Sequence, residues 1–216
     1  MKKVAVIGAT GFVGSNLVRE ARSRGFEVTA IARNIDKITD EKVNKVSVDV
    51  NEVNELSAVL KGHDAVISAF NAGWGNPNIY EDFISGSKAI QEAVRQAGVE
   101  RLIVVGGAGS LYAAENLQLI DTAEFPEEYK PGASAARDYL NILKEEKSLD
   151  WVFFSPAIEM HAGITTGRTG KYRLGKDYPV FDANHISRLS CEDLAVVLLD
   201  EVEKPRHHRE RFTAAY

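Results

Sequence analysis

Short apolar runs alternate along the chain with longer stretches whose apolar residues recur at helical spacing. Val4-Ala5-Val6-Ile7 carries no polar residue, the pattern of a strand covered on both faces. Phe12, Val13, Leu17, Val18 and Ala21 then share one helical face, so a helix starts near Gly11 and stops at Ser23-Arg24-Gly25. The alternation predicts further strands at 27–32, 45–48, 64–68, 101–105 and 150–154. Between and after them it predicts helices at 52–60, 79–97, 132–147 and 194–202. Gly98 reads as a helix stop, and Ser190-Cys191-Glu192-Asp193 as a capping box. Residues 211–216 are expected to add a last edge strand. The stretch 163–182, rich in Gly, Thr, Lys and Tyr, reads as a hairpin or loop lid inside a substrate-side region, 155–190. Strands alternating with helices define an α/β fold: one domain over 1–216, built on a doubly wound parallel sheet with helices on both faces.

Composition narrows the function classes. A net charge of -5 argues against nucleic acid or an acidic membrane surface as partner. No apolar run approaches the ~18 residues that span a bilayer. The apolar start after Met1-Lys2-Lys3 is too short for a signal peptide, so the cytoplasm is the expected location. A single cysteine, Cys191, excludes an internal disulfide and falls in the first turn of a helix, where packing is its expected role. No His/Cys/Asp/Glu grouping has metal-ligand spacing, and no G-x-S-x-G elbow is present.

The chemistry starts between the first strand and the first helix. Gly8, Gly11 and Gly14 are spaced G-x-x-G-x-x-G. Gly8 allows a tight turn, Gly11 lets main-chain amides approach a diphosphate, and Gly14 lets the helix pack closely on the sheet. Gly8, Thr10, Gly11, Phe12 and Val13 are the expected diphosphate cradle, at a helix N-terminus whose free N–H groups favour an anion. At the tip of the second strand stands Arg33, not the acid that accepts from a ribose 2′-hydroxyl. A guanidinium matches a 2′-phosphate, so NADP(H) is favoured over NAD(H). Asp36 is close enough in sequence to pair with Arg33 instead.

Ala9-Thr10 between the first glycines, with Arg33, Asn71-Ala72-Gly73, Gly106 to Ser110, Pro156 and Ser187 to Ala195, resembles the atypical short-chain dehydrogenase/reductases. The similarity is to their NADH-flavin reductase subgroup, related to biliverdin reductase B and the NmrA-like proteins. It implies a Rossmann-type sheet with a small C-terminal substrate-side region. It also implies an adenine pocket at Asp49 and Val50, and cofactor contacts from Ala69, Phe70, Asn71, Gly107 and Pro156. Ser110 stands where the family places a serine that hydrogen-bonds a substrate carbonyl. A glycine-rich turn capped by serine accounts for the same stretch, and a turn into the next helix accounts for Asp49. The acidic loop from Glu115 to Glu128 is expected to cover the site.

The family's usual proton donor is a Tyr with a Lys four residues on, and the chain departs from it. Tyr139 is followed at that spacing by Leu143; Lys144 is five on, about 140° past a full turn and on another face. Tyr172 and Lys176 match by chance, after the sixth strand. His161 is a distant candidate, and His63, His207 and His208 read as surface residues. Hydride transfer to a conjugated acceptor needs no strong acid, because the acceptor delocalises the charge. The expectation is therefore an NAD(P)H-dependent reductase acting on a flavin, quinone or similar small molecule, as monomer or dimer. The alternatives are an NmrA-like NADP sensor without turnover and, further off, a sugar-nucleotide epimerase or dehydratase.

Overall fold

The computed structural model describes residues 2–216. Seven strands lie parallel: β1 (Lys3–Ile7), β2 (Glu27–Ala32), β3 (Asn44–Ser47), β4 (Ala65–Ser68), β5 (Arg101–Val105), β8 (Asp150–Phe154) and β10 (Glu210–Ala215). An eighth, β9 (Arg173–Gly175), runs antiparallel, and the order is β3-β2-β1-β4-β5-β8-β10-β9. Helices α1 (Phe12–Ser23) and α5 (Cys191–Glu203) cover one face; α2 (Val53–Leu60), α3 (Ile79–Ala97) and α4 (Lys130–Lys144) cover the other. The period of two along β1 explains both cores. Val4 and Val6 pack under α1 and α5, whereas Ala5 and Ile7 face α2, α3 and α4. The chain winds outward from β1 to β3, then returns to β4 on the other side of β1. Strand order therefore switches between β1 and β4, where an open α/β sheet leaves a crevice at its carboxyl edge.

Several predicted boundaries move for local reasons. Helix α4 starts at Lys130, because Pro131 fits the first turn, where its missing N–H has no helical acceptor. It stops at Lys144, and the Glu146 carboxylate then accepts from the amides of Ser148 and Leu149. Helix α5 begins at Cys191, three residues early, because Ser190 Oγ accepts from the Asp193 amide at 3.0 Å. The acidic loop carries a small hairpin, β6 (Tyr112–Ala114) with β7 (Leu117–Gln118), and folds Ile120 and Phe125 over Gly109.

The segment 163–182 is not a hairpin. Only β9 forms in it, and it pairs with β10, so β10 lies inside the sheet and not at its edge. The rest is stapled to the α1/α5 layer. Arg168 reaches Glu20 of α1 at 2.7 Å, and Tyr172 donates to Asp200 of α5 at 2.5 Å. The fully buried Asp193 accepts from the amides of Thr169 and Gly170, from Thr169 Oγ1 and from the Tyr216 hydroxyl.

Two histidines expected at the surface are half-buried. His63 bonds the Leu60 carbonyl and Thr29 Oγ1. His207 stacks on Phe212 at 4.2 Å and bonds Glu201. His208 is exposed.

Candidate functional site

The turn leaving β1 is set by two glycines. Gly8 has φ +78, and a Cβ there would sit 2.5 Å from the Ala69 carbonyl oxygen at the end of β4. A Cβ on Gly14 would sit 2.0 Å from the Gly8 carbonyl oxygen, so only glycine lets α1 approach β1 this closely. The amides of Gly8 and Ala9 both donate to the Ile31 carbonyl, which ties the turn to β2. The amides of Phe12, Val13 and Gly14, in the first turn of α1, have no acceptor among the described residues. These amides lie beside Gly11, which lines the neighbouring cleft, and the residues present fit a dinucleotide diphosphate.

A cleft of about 500 Å³ opens beside this turn, at the switch between β1 and β4. It gathers Gly8, Thr10, Gly11, Arg33, Asp49, Val50, Ala69, Phe70 and Asn71 from four separate stretches of sequence. Phe12 and Val13 stand just outside, at the start of α1. Arg33 is exposed at the rim; its guanidinium forms no hydrogen bond or ion pair with Asp36 or any other group among the described residues, while its carbonyl accepts from Ser47 Oγ at 2.8 Å. The backbone is thus fixed and the cation is open to a ligand. Asp49 turns back to cap its own loop, accepting from Asn51. Phe70 extends beneath α3, where it stacks on Phe83 at 6.0 Å and fills the space over Gly86.

Sequence reading missed the far wall, which α3 and its leading loop supply. Asn76 Nδ2 donates to Asp82 at 2.8 Å, and Ser85 reaches Asn51 at 3.5 Å. The signal was present: Asp82 and Ser85 are polar residues three apart, on one helical face.

Gly107, Ser110 and Pro156 do not line the cleft; they stand at the exits of β5 and β8. Ser110 is 1% exposed. Its hydroxyl donates to the Gly107 carbonyl at 3.0 Å and lies 3.0 Å from Ser155 Oγ. Its carbonyl accepts from Gln118 at 3.0 Å and from Arg211 of β10. Tyr139 is buried between α3 and α4, bonded to Gln91, and burial pushes its hydroxyl far above the usual phenol range. Tyr172 and Lys176 are tied to Asp200 and Glu210. His161 is exposed and caps its own loop by accepting from the Gly163 amide. Burial pushes the Cys191 thiol up to about 12, so it stays protonated and packs against the Phe12 carbonyl.

Strand order, the glycine-cradled helix start and the cleft at the switch point define a Rossmann-type dinucleotide-binding protein. The chain belongs to the NAD(P)H-binding family, whose model matches residues 8–205. A structure from Bacteroides thetaiotaomicron, provisionally described as an epimerase, is 49% identical with a TM-score of 0.91, covering 100% of this chain and 97% of that one. A Streptococcus pneumoniae TIGR4 structure, provisionally described as an NADH-flavin reductase, is 38% identical with a TM-score of 0.86, covering 100% and 99%. YwnB of Bacillus subtilis (strain 168) is 40% identical over 213 residues, 98% of this chain and 97% of that protein. These likenesses agree with the atypical short-chain reductase pattern read from the glycine spacing. No helix among the described residues is long and apolar enough to cross a membrane.

Proposed function

We propose that the protein is a cytoplasmic NADPH-dependent reductase of a small conjugated acceptor, a flavin or a quinone. The observation that carries the cofactor choice is Arg33, an uncommitted guanidinium on a fixed backbone at the cleft rim. The amides at the start of α1 would hold the diphosphate, Arg33 the 2′-phosphate, and Asp49 and Val50 the adenine edge. When bound, the nicotinamide supplies a hydride. Gly107 and Pro156 would border its ring, and Ser110 would orient the acceptor.

The placement of Tyr139 supports a conjugated acceptor. Its hydroxyl is buried between α3 and α4, donates to Gln91 and does not line the cleft, so it is not positioned to protonate an acceptor there. A simple ketone needs a proton donor as its alkoxide develops, whereas a flavin or quinone spreads the charge over its ring. Catalysis then rests on proximity and orientation.

NADPH oxidation measured with a panel of FMN, riboflavin, quinones and biliverdin, beside NADH, tests this reading. Turnover with at least one acceptor and a preference for NADPH are expected. Tight NADPH binding without turnover on any acceptor would replace the enzyme with a sensor of the NmrA kind.

A further inference from the structure

Trp74 is 60% exposed although its backbone is held firmly. It sits in the turn Gly73–Asn76, closed by a bond from the Asn76 amide to the Gly73 carbonyl at 3.0 Å. Asn71 Oδ1 braces the turn by accepting from the Gly73 amide at 2.7 Å. The indole meets Tyr129, itself 46% exposed, edge-on, with ring centroids 5.4 Å apart and planes at 82°. Its benzo edge rests on Gly132 at the start of α4, where a Cβ would come within 2.8 Å of the ring.

Two rings held in place yet left open to solvent forgo part of the burial that an aromatic ring gains in a core. Their location indicates a ligand. On one side the same turn runs into the cofactor cleft through Ala72 and Asn76. On the other, Ala133, next to Gly132, packs against Gly109 in the loop that carries Ser110. Trp74 therefore belongs to a turn whose neighbours line the cleft, and it rests on the helix that packs against the loop leaving β5. Of the neighbouring acids, Glu127 is paired with Lys130 and Glu128 is exposed, so no uncommitted cation stands here to hold a phosphate tail, and the ring system itself is what this wall suits.

We propose that Trp74, braced by Tyr129 and seated on Gly132, is the stacking wall that selects a planar, uncharged conjugated ring as acceptor. This rests on the reductase reading above, but it is a claim about binding and can be tested without turnover.

The chain has two tryptophans, and the other, Trp151, is 2% exposed. Lumiflavin, an isoalloxazine without a phosphate tail, is titrated with NADP+ absent and then saturating, following tryptophan emission and calorimetry. In Trp151→Phe, where Trp74 is the sole emitter, emission is quenched saturably at the calorimetric Kd. Trp74→Ala raises that Kd about fivefold to tenfold and Trp74→Phe raises it less, as expected for one lost aromatic pair, while NADP+ affinity is unchanged. Absence of lumiflavin binding by the wild type, an unquenched Trp74, or an unchanged Kd in Trp74→Ala overturns the proposal. Quenching without NADPH turnover retires the reductase reading and leaves the wall standing. Full turnover of flavin by Trp74→Ala retires the wall and leaves the reductase.

Discussion

Ser110 Oγ lies 3.0 Å from Ser155 Oγ, a contact that joins the exits of β5 and β8. The Gly107 carbonyl accepts from Ser110 Oγ at 3.0 Å, and either hydroxyl can be the donor within the serine pair. Ser110 is thus a held group, oriented by Gly107 and Ser155. Ser110→Ala is expected to lower turnover only about tenfold, below the ~10²–10⁴ of a general acid. Ser155→Ala leaves Ser110 Oγ without that partner and costs about 1 kcal/mol in urea unfolding. A thousandfold loss in Ser110→Ala would assign it proton transfer instead.

Arg33→Ala removes the one cation at the tip of β2 that lines the cleft. A charge-assisted bond of this kind is worth about 1.5–3 kcal/mol, so NADPH affinity falls roughly tenfold to a hundredfold in calorimetry. NADH affinity stays within about twofold. Equal losses for both nucleotides would count against a 2′-phosphate contact.

Asp193→Asn keeps the shape of the side chain but turns an amide NH2, a donor, toward groups that themselves donate. Thr169, Gly170 and Tyr216 all give hydrogen bonds to this buried carboxylate. The expected cost is roughly 1–3 kcal/mol, a fall in Tm of about 3–10 °C by calorimetry. The freed segment should be cut faster by trypsin at Arg168 and Lys171. Unchanged cleavage would mean that the Arg168 and Tyr172 anchors suffice.

Glu201 controls the acid limit of stability. Burial opposes its ionisation, but hydrogen bonds from His207 and from the amides of His207 and Arg206 prevail and hold its carboxyl at about 2, below the ordinary 4.5. Arg101 also pairs with it, at 2.7 Å. A carboxyl depressed on folding stabilises the native state above its ordinary value, and that contribution drains away as pH falls from 4.5 toward about 2. Urea midpoints should therefore decline across this window. In Glu201→Gln the decline is shallower, with the remainder carried by other carboxyls such as Glu146, also held at about 2. An identical slope in the variant would remove Glu201 from this role.

Periodicity and glycine spacing carried much of the molecule in one dimension. The β-branched run before Gly8 and the helical run after Gly11 are local signals, and a Cβ at Gly14 would meet the Gly8 carbonyl oxygen only six residues away. The tip of β2 likewise brought Arg33 to the rim by strand length alone. Contacts between distant stretches were not legible. The burial of Ser110 against Ser155, the capture of Thr169 by Asp193, the His207–Glu201 pair beside Arg101 and the seat of Trp74 on Gly132 each depend on how strands register and helices cross. A repeat of two or 3.6 residues reports which face is buried; it is silent on which partner lies across the gap. Three-dimensional packing made that choice, joining groups that no local pattern relates.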